Sequence, residues 1–244
     1  MTRGQKMTNP AIAAVIPVYN DRKALEHAIP VSLQYLGEIT PDFELIIAED
    51  GSTDGSADLV RETSRQDPRV RLLHSDERLG RGRALNRAFR ETSAPIVLYY
   101  DVDLATSMDY LRKLVSAIQE GYDIATGSRL LPDSRIRRTG GREFASRGYN
   151  FLVRSVLRSR LHDHQCGFKS FRRDRVILVA EKVQERHWFW DTEILVRAQR
   201  KGYRILEFPV HWEQGPGTTV RKSDVTGMGL SVLRLWWRLN VQKD

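Results

Sequence analysis

In "LYYDVDLAT" (98–106) an apolar run stops on two carboxylates, Asp101 and Asp103, with one residue between them. In extended chain residues i and i+2 share a face, with Cα atoms ~6–7 Å apart. Like charges so placed repel and raise each other's pKa unless something positive lies between them. A turn or helix N-cap is the plain reading of one such aspartate. Two after a buried strand can also chelate a hard cation, Mg²⁺ or Mn²⁺, through oxygen. A second acidic strand end, "AEDGSTDGS" (48–56), runs into a glycine-rich turn, where Asp50 either serves a capped helix start or accepts hydrogen bonds from a base or ribose. In "ERLGRGRALNRA" (77–88) a Gly-x-Gly turn opens a helix beside arginines. Such a turn offers backbone N–H groups and positive charge to a phosphate, although glycine at a helix start is weak evidence alone. No Walker A sequence occurs, and the first strand runs into "PVYND" in place of G-x-G-x-x-G, which argues against a P-loop NTPase and a dinucleotide dehydrogenase.

The elements that must position these residues alternate through the first half. Short apolar runs at 11–19, 43–50, 70–74, 95–101 and 122–128 read as strands, and the stretches 22–36, 54–66, 81–91 and 107–120 read as helices. Such alternation predicts a mostly parallel sheet covered by helices on both faces. Ligands on such sheets bind at the carboxyl ends of strands, where Asp50 and Asp101 both fall. Further on, 142–161 reads as a helix with Arg147, Arg154 and Arg158 on one stripe and Tyr149, Leu152, Val153 and Val156 opposite. "DTEILVRAQRKG" reads as a helix, "YRILEFPVHW" as a strand and "DVTGMGLSVLRLWWRLN" as a last amphipathic helix.

The chain has 244 residues and a formal net charge of +8. Between Arg129 and Arg175 stand 13 basic residues and 4 acidic ones, so that this segment carries +9 and the remainder −1. A localised anionic partner is implied: nucleic acid, anionic lipid or a phosphorylated substrate. The single cysteine, Cys166, and the lack of an apolar leader read as an intracellular protein. No apolar run approaches the ~18–20 residues of a spanning helix. Cys166 reads as a small core residue, and His162, His164 and His187 as surface or packing residues before metal ligands. Trp236 and Trp237 suit the core and a membrane surface equally, and the arginine stripe could be a solvated face.

Taken together, "VIPVYN", "EDGSTDGS", "LGRGRALN" and "YYDVDLAT", in this order, resemble glycosyltransferase family 2 with the GT-A fold over residues 12–222. The resemblance implies an α/β fold with C-terminal amphipathic helices. Its parts would be a flexible 1–10, a transferase domain over 11–222 and an amphipathic, membrane-interface helix over 223–244. It also implies a nucleotide-sugar site of Pro17, Tyr19, Asp21, Asp50, Arg81, Gly82, Asp101 and Val102, with Asp101 and Asp103 holding Mg²⁺ or Mn²⁺ against the two phosphates of a UDP- or GDP-hexose.

"TGSR" (126–129), "GGREFASRGYN" (140–150), "DHQCGFKSF" (163–171) and "HWFWDTEILVRA" (187–198) look like polyprenyl-phosphate hexosyltransferases of the dolichyl-phosphate glucose or mannose type, closer to glucose. Ala105 stands where the mannose type often has glutamine. By this resemblance Arg129, Arg142 and Ser146 would grip the acceptor phosphate, and Asp191 and Glu193 would sit near the sugar. Asp103, Arg129 and Asp191 would be the catalytic set. Thr219 replaces the family's usual lysine, a role passed to Arg221 or Lys222. The implied enzyme inverts the anomeric centre, moves a hexose to polyprenyl or dolichyl phosphate, and lies peripherally on the cytoplasmic face of an anionic membrane. A family member acting on a soluble sugar, glycolipid or protein is the alternative. A non-catalytic nucleic-acid-binding protein is a third reading, opposed by the aspartate cluster and by the lack of a recognisable module.

Overall fold

The computed structural model describes residues 10–137, 140–213 and 222–242, with side chains from Ala145 onward in the helix that starts at Gly140 and from Gly227 onward in the one that starts at Lys222. The expected flexible N-terminus therefore falls almost wholly outside the described residues. Four parallel strands form one half of a seven-stranded sheet: β1 (Ile12–Val18), β2 (Phe43–Glu49), β3 (Val70–Leu73) and β4 (Ile96–Tyr100). Beyond β4 come β5 (Ile124–Ser128), β7 (Phe168–Arg172) and β8 (Ile205–Pro209), in the order β3-β2-β1-β4-β7-β5-β8. All run parallel except β7, which is antiparallel to both β4 and β5. A small parallel pair, β6 (Arg135–Arg137) and β9 (His211–Glu213), stands apart.

Near-continuous apolar strands are what a sheet buried on both faces requires. Ala14, Ile16 and Val18 of β1 pack with Leu45, Ile47, Leu98 and Tyr100 against α1 (Arg22–Gly37), α2 (Ser56–Gln66) and α4 (Leu111–Gln119). The alternate residues Ala13, Val15, Val97 and Tyr99 face α3 (Arg81–Glu91), α6 (Arg173–Ala180) and α7 (Trp190–Arg200). A third cluster joins α5 (Gly140–Leu157) to α8 (Lys222–Trp237) through Tyr149, Val153, Leu157, Met228, Val232 and Leu235, with Phe189 and Val196 beneath.

The first half follows the sequence expectation closely; the second departs from it. α5 stops at Leu157, where Arg158 takes φ 55°, so Arg158 does not continue the stripe of Arg147 and Arg154. β7 and α6 lie in a stretch with no expected element. The single expected strand over 203–212 is two, β8 in the main sheet and β9 in the small one, because the pairing passes at Val210 from Ser128, at the end of β5, to Arg135, at the start of β6. α4 begins at Leu111 after a short 3₁₀ turn, Met108–Tyr110.

Candidate active site

The carboxyl ends of β1, β2, β4 and β5 open on one edge, and the loops after them carry the residues singled out from sequence. β4 ends at Tyr100, so Asp101 and Asp103 do not share the face of an extended strand. They lie in a turn closed by the Leu104 N–H on the Asp101 carbonyl at 3.1 Å, with Leu104 at φ 48°. Asp101 is fixed by its own N–H on the Gly167 carbonyl at 3.1 Å, and any side chain at Gly167 would collide with its carboxylate. A cavity of about 10 Å³, room for a single water-sized particle, is lined by both aspartates with Tyr100, Leu104, Ala105, Thr106 and Gly167. Burial and the negative charges of Asp101 and Asp21 raise the pKa of Asp103.

The cation expected beside this pair is present as a side chain. Arg81, first residue of α3, places Nη2 2.6 Å from Asp101 Oδ1 and Nη1 2.5 Å from Asp191 Oδ2. Its guanidinium lies over the rings of Tyr99 and Trp188 at 5.0 and 5.5 Å. Asp191, 2% exposed, also accepts from the Tyr99 hydroxyl and pairs with Lys169 Nζ at 3.1 Å. Burial pushes Asp191 up, and Lys169 and Arg81 more than reverse it, holding the carboxyl below its usual range. Glu193 is not beside Asp191. Two residues on, helical geometry turns it ~200° away, where it takes Arg197 Nε at 2.8 Å, Arg238 Nη1 at 3.4 Å and the Glu185 N–H at 3.1 Å. The expectation that both would face the sugar is corrected for Glu193.

Across the edge, the loops after β1 and β2 interlock. Asn20, at φ 50°, donates its N–H to Ser52 Oγ at 2.9 Å and accepts from the Thr53 N–H at 2.8 Å, while the Arg22 N–H reaches Asp54 at 2.8 Å. Asp21 caps α1 through the Ala24 N–H at 3.4 Å. Pro17 sits within β1, paired with Ala48, and Tyr19 is exposed with Arg78 4.0 Å above its ring. Asp50 accepts the Leu79 and Gly80 N–H groups at 2.7 and 2.9 Å, and burial raises its pKa against those two bonds. Asp50 thus ties the β2 loop to the glycine turn of α3. Gly82 has a packing role as well, since a Cβ there would come 2.5 Å from the Trp190 ring. Val102 packs on the core beside the aspartate turn.

Arg129 follows β5 on the same edge, near enough to Asp101 for the two charges to interact. Asp163 accepts from its Nε at 2.7 Å, Nη2 at 2.9 Å and backbone N–H at 2.9 Å, which leaves Nη1 outside that pair. Burial raises the Asp163 pKa, but Arg129 holds it well below the carboxylate range. Ser146 Oγ on α5 is buried and has no hydrogen-bond partner among the described residues. The side chains of Arg142 and Lys222, and all of Thr219 and Arg221, lie outside the described residues. Cys166 is fully buried, its thiol pushed up to about 12 by burial. His164 is buried between Asn150 Oδ1 and Ser159 Oγ, both at 2.7 Å. Tyr99, Trp188, Asp163 and Lys169 escaped the sequence reading. Lys169 had a signal: a cation set between Phe168 and Phe171.

Residues 13–177 match the model of glycosyl transferase family 2. The chain is 46% identical over 95% of its length to glycosyltransferase AglD of Haloferax volcanii, and spans 38% of the length of that relative. It is 29% identical over 92% of its length to the dolichyl-phosphate beta-glucosyltransferase ALG5A of Trichomonas vaginalis, covering 72% of it. Among solved structures, glucosyl-3-phosphoglycerate synthase from Mycobacterium tuberculosis, in complex with Mn²⁺, UDP and glucosyl-3-phosphoglycerate, superposes with a TM-score of 0.67 at 18% identity, covering 97% of this chain and 85% of that one.

Proposed function

The chain belongs to glycosyl transferase family 2, and from that premise we propose that it transfers a hexose, with inversion, from a nucleoside diphosphate sugar to polyprenyl or dolichyl phosphate. The family supports glycosyl transfer as the reaction class. The lipid acceptor is supported by the dolichyl-phosphate glucosyltransferase relatives and by the localised positive segment. The observation that carries the reading is the meeting, at one sheet edge, of the Asp101–Asp103 turn, the interlocked loops after β1 and β2, and Arg129.

The residues present fit a divalent cation. Both aspartates line a cavity of single-particle size, and the burial and the repulsion from Asp101 that raise Asp103 are what such an ion would offset. Among the described residues no three acidic, histidine or cysteine side chains form a ready-made metal cage. This suits Mg²⁺ or Mn²⁺, which take one or two carboxylates and complete their shell with water and substrate phosphate. Asp101 and Asp103 would hold the ion, which would offset charge growing on the leaving diphosphate.

The protein's own groups do the rest. The Pro17–Asp21 turn and the Asp50 loop enclose the nucleoside. Arg81 faces the diphosphate with its side chain, since the Leu79 and Gly80 N–H groups at the start of α3 are taken by Asp50 and that of Gly82 by the Arg186 carbonyl. Arg129, fixed by Asp163, and Ser146, whose hydroxyl has no partner among the described residues, orient the acceptor phosphate, with Arg142 and the Arg221–Lys222 segment as further candidates. That phosphate is anionic at neutral pH and attacks without a strong base, so Asp191 serves to hold Arg81 and Lys169 in place. Positioning accounts for most of the rate.

Sugar-nucleotide turnover with UDP- and GDP-hexoses, with and without polyprenyl phosphate in detergent, tests the reading. Product should form only with the lipid phosphate. Equal turnover on soluble sugars alone would replace it with the soluble-acceptor alternative.

A further inference from the structure

Asp101 already has a cation. We propose that Arg81 is a resident counter-ion that occupies Asp101 in the donor-free protein and yields it only when a diphosphate arrives to receive the guanidinium, so that metal and donor load together. This rests on reading Asp101 and Asp103 as metal ligands.

Three features of the cluster support it. First, the guanidinium spans two carboxylates, Asp101 at 2.6 Å and Asp191 at 2.5 Å, and among the described residues only Asp191 has a second cation in direct contact, Arg129 acting on Asp101 without an ion pair. Lys169, fully buried, pairs with Asp191 at 3.1 Å. If Arg81 swings away, Asp191 keeps a charge partner and Asp101 is the carboxylate set free. Second, the root of Arg81 is fixed while its tip is exchangeable. The Gly82 N–H on the Arg186 carbonyl at 2.7 Å and the packing of Gly82 on Trp190 lock the start of α3. The tip, itself 13% exposed, reaches the open edge through Asp101, whose side chain is 40% exposed. Third, a metal ion approaching alone must expel an arginine and leave it without a charge partner on the Asp101 side. A metal ion arriving with a diphosphate gives the guanidinium oxygens it binds well, and every charge in the cluster stays matched. The two ligands are then coupled, each strengthening the other by the same factor.

The test is equilibrium Mn²⁺ binding, read by electron paramagnetic resonance of the free ion, in wild type, Arg81→Gln and Arg81→Lys. Each is titrated with Mn²⁺ alone, with Mn²⁺ plus saturating UDP, and with Mn²⁺ plus saturating GDP. In wild type, one of the nucleotides should tighten Mn²⁺ binding at least ~10-fold over the metal alone. In Arg81→Gln, Mn²⁺ alone should bind roughly 10-fold tighter than in wild type, the size of one close charge pair. The gain from nucleotide should shrink correspondingly. Arg81→Lys cannot fork across both carboxylates and should shift the same way by a smaller factor; it carries the test if the glutamine variant does not give a wild-type circular dichroism spectrum. A folded variant that binds Mn²⁺ alone no more tightly than wild type, while nucleotide still tightens binding in both, overturns the counter-ion role and leaves the metal site standing. Absence of Mn²⁺ binding in every arm overturns the metal reading and this inference together.

Discussion

At the residue scale, the paired aspartates divide the work unequally. Asp101 is held by Arg81 and by the Gly167 carbonyl on its own N–H, whereas the Asp103 carboxylate takes only the Ala105 N–H at 3.1 Å and has its pKa raised by burial and its acidic neighbours. Asp103→Ala should therefore lower turnover by at least ~10²-fold, about 2.7 kcal/mol of barrier, with little change in melting temperature. Excess EDTA should act as the substitution does, and wild-type rates under chelation would remove the metal from the scheme. Asp163 belongs to the other kind of residue, where structure and site coincide. It is fully buried and saturated by Arg129, so Asp163→Ala strands a guanidinium and should cost about 3–5 kcal/mol in a urea titration. Asp101, Asp103 and Arg129 were legible because motif and strand end coincide in sequence. Lys169 and Asp163 were hidden because a buried charge is explained only by its partner, and that partner is distant in the chain.

At the scale of elements, the close packing of α3 on α7 is set by Gly82. A methyl there meets the Trp190 ring at 2.5 Å, so Gly82→Ala should destabilise the fold by roughly 1–3 kcal/mol. The same change tilts the helix that carries Arg81, and the fall in affinity for nucleoside diphosphate should track the fall in stability. The loop between α5 and β7 is tied by His164, which burial holds neutral with a pKa lowered to about 3. Unfolding lets this ring take a proton below its ordinary value of ~6.5, so its contribution is complete above that pH and drains away as the pH falls towards 3. Between pH 7.5 and 5 it should cost the protein about 2 kcal/mol of stability. Denaturant titrations of His164→Gln should show lower stability throughout but a flatter slope across that interval. The alternating elements of the first half were readable because each strand is a short apolar run and the stretches between them are of helix length, the first opened by the capping Asp21. The second half was not, because β7 is recruited by the sheet from a loop-like sequence, and β8 and β9 fall in different sheets through a change of partner at Val210, from β5 to β6.

At the scale of the whole molecule, α5 and α8 pack on each other and turn Phe151, Leu230, Leu233, Trp237 and the following Val241 outward, Phe151 at 71% exposure. Arg147 and Arg154 are also exposed on α5, and no described helix is long and apolar enough to cross a membrane. We propose that this face lies on an anionic bilayer, with the exposed side chains entering the headgroup layer. Cosedimentation with phosphatidylglycerol vesicles should fall with rising salt, and Phe151→Glu combined with Trp237→Glu should abolish it while leaving the melting temperature within a few degrees. Retention of the double variant on vesicles would assign the apolar face another role. Trp236 and Trp237, which suited core or surface equally in sequence, are both exposed, because Val232 and Leu235 take the inward positions of α8.

The antiparallel β7, lodged between β4 and β5, also sets the order in which this protein can be made. A chain leaves the ribosome with β1 to β5 synthesised before Phe168 exists, and through that interval β4 and β5 each present an apolar edge with nothing to pair. Nascent chains fold from the N-terminus onward, yet here the first half holds the moulds for a strand still to come. A product truncated before Phe168 keeps both open edges permanently and should aggregate when expressed. In the full chain the hazard at β4 lasts until translation reaches Arg172, and at the far edge of β5 until β8 ends at Pro209. Slow codons between Ser128 and Phe168 would therefore lower the soluble yield of an unaltered protein.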